Sequence, residues 1–453
     1  MNLFSITTAA LALFAAATAN AQVDPNAGPR TWVIKDLGEY ESPAPPSDAH
    51  TQDEAAALKS LAAQRDDSAV ALVRFWNAGA PAYRWIQIAQ QEIANHNLGG
   101  PAATRVMSLV AVAMNDATAA VWASKYAYNR PRPAQFDSAI VPLIDTPASP
   151  SYPSEYSATA AAAASVLAYL FPDRKSALES MAAAAGISRL YAGAEFPSDV
   201  DAGAALGSAV ADAVIAWGKG DGSDAVFTGS FPQKAGVWSS PTPSFPLAGS
   251  WTPWALDSGS QLRLPPPPAF GSPDFSAQVD GVKNFAHTVQ TSHIAWFWQP
   301  SFIDPWIDTT NEMLFENRID RNPPLAAAIY ALVTASQHDA TIACWDTKYA
   351  YLELRPVQAD SAVQTLFPTP AHPSYPSGHA CASAAAAGAL SAVFPNASDM
   401  LSAKAQEGGL STFYAGIHYR NDVDQGLALG QGVAQVVVSR AGVSPVQLPK
   451  AVK

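Results

Sequence analysis

The chain has 453 residues, with 26 Lys and Arg against 38 Asp and Glu, a formal charge of −12. Apolar residues make up 49% and charged residues 14%, enough to bury two substantial cores, which excludes a chain disordered throughout. The acidic balance excludes nucleic acid and anionic membrane as default partners, so any anion site must bring its own cluster of cations.

Residues 1–21, apolar and closing on Ala19-Asn20-Ala21, read as a cleavable export signal, although no Lys or Arg stands near Met1. The expected location is therefore secreted or exported. Residues 22–50 are rich in Pro, Asp and Ser and predict an irregular lead-in. From about 52 to 218, Ala, Leu, Val and Ile recur at three- and four-residue spacing, which predicts helices. Between 219 and 285 the composition shifts to Gly, Pro, Ser and Trp, with GVWSSPTP at 236–243 and PPPP at 265–268. This crossover is expected to wrap the surface, its Trp238, Trp251 and Trp254 either walling a substrate mouth or pinning the segment down. Helical periodicity resumes near Thr288 and runs to about Ala441. Strand signals are sparse and no later run holds about 18 uninterrupted apolar residues, so a membrane span is not expected. The predicted fold is all-α: two duplicated helical bundles, 22–218 and 286–453, joined by the 219–285 crossover.

The duplication is written in the sequence. KYAYNRPRP at 125–133 returns as KYAYLELRP at 348–356, SPSYPS at 149–154 as HPSYPS at 372–377, and YAGAEFPSDVD at 191–201 as YAGIHYRNDVD at 414–424, all at an offset of 223. The copies part at reactive positions: His379 answers Tyr156, Gly378 answers Glu155, and His418 answers Glu195. Cys344 and Cys381 have no counterparts and are compatible with one disulfide or with two buried thiols.

Three patterns in the second copy point to an oxyanion site. Lys348 and Arg355-Pro356 place two cations two helical turns apart at a helix that proline ends. Pro376-Ser377-Gly378-His379 opens an Ala-rich helix, whose free amides and dipole favour an anion, with His379 next to it for proton transfer. His418 and Asp422 are spaced so that a carboxylate fixes one imidazole nitrogen and leaves the other directed outward.

In this order, K-x6-R-P, P-S-G-H and H-x3-D resemble the family that joins vanadium-dependent haloperoxidases to type 2 phosphatidic acid phosphatases and bacterial acid phosphatases. ACWDTKYAYLELRPVQA, QTSHIAWFW and LRLPPPPAF are similar to the soluble haloperoxidase-type branch. The resemblance implies that Lys348 and Arg355 hold the oxyanion with Ser377 and the Gly378 amide, that His379 is the acid-base residue, and that Asp422 orients His418. His418 is then the axial ligand of vanadate, the implied cofactor, or the nucleophile of a phosphatase. The implied activity is oxidation of halide by hydrogen peroxide. The alternatives are phosphomonoester hydrolysis through a phosphohistidine and a catalytically silent scaffold. His372, seven before His379, is a candidate second proton carrier. One position departs from the pattern: the family's second arginine is here Thr412, a loss worth about 1.5–3 kcal/mol of anion binding. Arg420, two past His418, is expected to point elsewhere.

Overall fold

The computed structural model describes residues 30–443 and 445–446; the expected export signal at 1–21 lies outside them. The first half holds α1 (Asp48–Ala63), α2 (Asp67–Trp76), α3 (Pro81–Asn95), α4 (Gly100–Tyr128), α5 (Pro133–Phe136), α6 (Glu155–Leu170), α7 (Lys175–Ala192) and α8 (Pro197–Lys219). The second holds α9 (Pro273–Lys283), α10 (Val289–Trp298), α11 (Asp304–Glu316), α12 (Pro323–Tyr351), α13 (Pro356–Ala359), α14 (Gly378–Val393), α15 (Ser398–Tyr414) and α16 (Arg420–Ala441). No strand occurs among the described residues, and the fold is the expected pair of duplicated helical bundles.

The two long helices α4 and α12 pack on one another at the centre. By length and composition alone α4 and α8 could each cross a membrane, although neither holds an uninterrupted apolar run of that length; the apolar window of α4 is 94% buried inside the protein and that of α8 33%. Around this core each half closes its own bundle, α6 against α7 and α8, and α14 against α15 and α16. Small residues set the closest crossings. A Cβ on Gly203 or Gly207 would strike the Ser154 or Ala158 carbonyl, and one on Gly426 or Gly430 the Ser377 or Cys381 carbonyl. Backbone contact there lets Ser154 N–H donate to the Asp199 carbonyl and Ser377 N–H to the Asp422 carbonyl, each at 2.9 Å. Each half thus fixes the start of one helix beside the first turn of another.

The repeat reaches further than the helical pattern suggests. Buried Asp116 in α4 accepts the amides of Trp32, Val33 and Ile34 at 2.8–3.1 Å, and buried Asp339 in α12 accepts those of Trp254, Ala255 and Leu256 at 2.7–3.1 Å. Tyr152 O–H donates to the Pro43 carbonyl and Tyr375 O–H to that of Pro265. The later part of the supposed crossover is therefore the second copy's lead-in, and α9 is the counterpart of α1. The intervening insertion shrinks to about 220–252. Trp238, Trp251 and Trp254 do not wall a mouth; all are buried. Trp254 stacks on Trp217 with centroids 3.7 Å apart, and Trp238 packs edge-on to Tyr349. They pin the segment to the core.

Candidate active site

α12 ends in an αL cap at Leu352, and Pro356 opens α13, so Lys348 and Arg355 flank a tight chain reversal. Ser377 caps α14, accepting from the Ala380 amide, and Thr412 on α15 meets its hydroxyl at 3.1 Å. His418 precedes α16, in whose first turn Asp422 lies. Lys348, Arg355, Ser377, Gly378, Thr412, His418 and Asp422 are all buried, and this side-chain set lies around one end of α14.

Lys348 Nζ donates to the carbonyls of Pro373 and Ser374, both at 2.9 Å, and to that of Pro376. Arg355 donates to the carbonyls of His372 and Ile417 at 2.8 and 2.7 Å, and to His418 Nε2 at 2.9 Å. His418 Nδ1 donates to Asp422 Oδ2 at 2.8 Å, and Ser374 Oγ donates to the same oxygen at 2.6 Å. Nε2 is therefore the acceptor nitrogen, its lone pair directed to the cations. Burial, with Arg355 and Lys348 nearby, holds His418 well below the ordinary histidine range, so it is neutral. Burial lowers Lys348 to about 8 and Arg355 to about 10, which marks a cationic pocket deprived of solvent.

His379 donates from Nε2 to the Trp298 carbonyl at 3.0 Å and lies edge-on to Phe302. Burial pushes it to about 4. It is neutral at pH 7 and enters any reaction as a base. His372 is neutral for the same reason; its Nδ1 accepts from Arg355 Nη2 at 3.0 Å and its ring packs on Trp345. It orients Arg355 rather than standing free as a proton carrier.

The corresponding region of the first half shows what this cradle is shaped for. Lys125 donates to the carbonyls of Pro150 and Ser151 and pairs with Glu155 at 2.7 Å; Arg132 pairs with Glu155 at 3.2 Å and Glu195 at 3.1 Å. The carboxylates come from the Gly378 and His418 positions, so the first half carries its own anion. Lys125 and Arg132 hold Glu155 at about 2. In the second half Gly378 supplies no carboxylate, and a Cβ there would press on the Trp345 ring at 3.2 Å.

A family model described as the PAP2 superfamily matches residues 105–222 and again 325–442, together more than half of the chain. The chain belongs to the PAP2 superfamily. Among solved structures, a bacterial vanadium-dependent iodoperoxidase superposes with TM-score 0.64 at 20% identity, covering 83% of this chain and 98% of that one. The holo form of a bacterial vanadium-dependent chloroperoxidase superposes with TM-score 0.58 at 15% identity, covering 76% and 93%. At these identities the likeness is one of fold. The sequence finds no relative among curated proteins.

Within this PAP2 site two further residues escape the sequence motifs. Ser374, which donates to Asp422, is repeated as Ser151, which donates to Asp199; the shared SYPS was the available signal. Glu353, buried beside Asp422, stands where the first half has Arg130. Arg420 is exposed and pairs with Asp424, as expected. Cys344 and Cys381 are free buried thiols.

Proposed function

We propose that the protein is a vanadate-dependent haloperoxidase-type enzyme that oxidises halide with hydrogen peroxide in the second half. The observation that carries this reading is the exchange of Glu155 for Gly378: the same lysine–arginine pair is neutralised by the chain in one half and left for an anion from solution in the other. The site's chemistry fits a tetrahedral oxyanion: Ser377 Oγ and the free amides at the α14 start as donors, the buried charges of Lys348 and Arg355 beside them, and neutral His418 Nε2 as the ligand once an anion takes over its contact with Arg355. Bound there, vanadate supplies a Lewis-acidic centre for the reaction of peroxide with halide. Asp422 keeps the proton on His418 Nδ1, and neutral His379, its Nε2–H held by the Trp298 carbonyl, would accept a proton at Nδ1. Buried Lys348 and Arg355 stabilise negative charge in a site with little water. The haloperoxidase neighbours favour this chemistry. The resulting hypohalous acid either leaves or halogenates a small organic acceptor. The apolar N-terminus supports export, which N-terminal sequencing of protein recovered from the medium or periplasm tests.

The same neutral His418 backed by Asp422 also suits in-line attack on a phosphomonoester, and one experiment separates the readings. Protein purified without phosphate is loaded with orthovanadate and assayed for peroxide-dependent bromide and iodide oxidation beside aryl phosphate hydrolysis. Vanadate-dependent halide oxidation that His418→Ala abolishes is the expected result. Hydrolysis that vanadate inhibits assigns the phosphatase instead, and neither activity assigns the scaffold.

A further inference from the structure

The Glu353 carbonyl accepts the Ser374 amide at 3.0 Å and Ser374 Oγ donates to Asp422 at 2.6 Å, which brings the buried carboxyl of Glu353 beside that of Asp422. Asp422 uses Oδ2 for His418, Ser374 and the Tyr419 amide, whereas its buried Oδ1 meets no N–H or alcohol donor among the described residues, and neither do the two oxygens of Glu353. In the first half the same two positions form an ion pair, Arg130 Nη1 to Asp199 Oδ1 at 2.7 Å. The donor to this aspartate has thus been exchanged for an acid, in the half where the aspartate supports a histidine. Two facing buried carboxyls cannot both ionise, so one of them carries a proton and donates it to the other.

We propose that Glu353 is a positioning residue for His418: its protonated carboxyl donates to Asp422 Oδ1, keeping Asp422 the carboxylate that accepts His418 Nδ1–H. The assignment of the proton to Glu353 follows from the surroundings. Asp422 accepts three donors and Glu353 none, and accepted hydrogen bonds favour the ionised form. The charges of Lys348 and Arg355 act on both carboxyls and favour ionisation of each; the other titratable groups nearby are the phenols of Tyr375, which donates to the Pro265 carbonyl, and Tyr419, whose buried hydroxyl has no partner among the described residues. Burial and Asp422 together push Glu353 well above the ordinary carboxylate range. An arginine at this place, as in the first half, would add a third buried cation beside Lys348 and Arg355 and draw Asp422 away from the imidazole. A neutral acid donates without that charge. The consequence for catalysis rests on His418 being the anion-facing histidine, as proposed above; the hydrogen-bond chain itself does not.

The test uses the full chain with 15N-labelled histidine. In the ligand-free protein the His418 Nδ1 proton, held by a carboxylate, gives a downfield resonance that D422N removes. E353A is expected to broaden it away and to weaken orthovanadate binding in calorimetry about tenfold, the loss of one hydrogen bond in the chain. E353Q, whose amide donates in place of the acid, is expected to restore the resonance and bring affinity within about twofold of the parent. An unchanged resonance in E353A, or E353Q behaving like E353A, overturns the proposal. Where E353A does not fold, the pH dependence decides. The parent loses the resonance as Glu353 ionises at alkaline pH while E353Q keeps it, and coincident curves overturn the proposal. A parent that binds no vanadate yet shows this resonance pattern contradicts the function proposed above and leaves the positioning role standing.

Discussion

The two halves build the same lysine–arginine corner and resolve its charge in opposite ways. Lys125 and Arg132 are met by Glu155 and Glu195. Lys348 and Arg355 are met by backbone carbonyls and the neutral nitrogen of His418. Buried cations need an anion; the first half provides one from within, and the function proposed above has the second half take one from solution. Duplication followed by two changes, Gly to Glu at the helix start and His to Glu at the axial position or the reverse, accounts for the difference.

The sharpest way to break the comparison is to strip the first half of its anion. Glu155→Gln leaves Lys125 and Arg132 without their shared partner and is expected to cost about 3–5 kcal/mol in denaturant unfolding; a cost under about 1 kcal/mol would show that the internal anion is dispensable. Next comes pH. Burial and the Glu155 charge raise Glu195 from 4.5 to about 7. A raised carboxyl favours the folded state only while protonated, so its contribution falls as pH rises from 4.5 through 7 and is constant above. Glu195→Gln should therefore remove about 3 kcal/mol of that decline, read as a flatter dependence of melting temperature on pH.

Thr412→Arg restores to the second half the cation that the first keeps as Arg189, which stacks on Tyr156 at 4.0 Å. Thr412 is buried against Ser377, so the arginine is expected to tighten vanadate binding about ten- to a hundredfold while lowering the stability of the anion-free protein. Unchanged affinity in calorimetry would show the cradle complete without it. The smallest effect belongs to Arg420→Ala. Its exposed pair with Asp424 is worth about 0.5 kcal/mol or less, and vanadate affinity should not move; a tenfold loss would mean that Arg420 substitutes for the missing arginine.

The fixed offset made the duplicated bundles and the cradle legible from sequence, because helical periodicity and the K-x6-R-P, P-S-G-H and H-x3-D patterns survive in order. The lead-in repeat was not legible. Asp116 and Asp339 grip backbone amides, and Trp32-Val33-Ile34 shares only its tryptophan with Trp254-Ala255-Leu256. Glu353 was hidden because its counterpart Arg130 has the opposite charge; only the facing aspartate relates them. The protonation state of His379 depends on burial and on two cations distant in sequence, which no local motif encodes. The role of Trp238, Trp251 and Trp254 turned on what covers them, and the α4–α12 core was invisible to a window of residues.

The central claim is that Gly378 leaves unsupplied in the second half the negative charge that Glu155 supplies in the first. Calorimetric titration of phosphate-free protein with orthovanadate, parent beside Gly378→Glu, tests it directly. The account predicts one equivalent bound per chain in the parent and none in the variant, in which Lys348 and Arg355 gain a partner while the Trp345 ring must shift. Two equivalents in the parent, or undiminished binding by a folded Gly378→Glu protein, would contradict it.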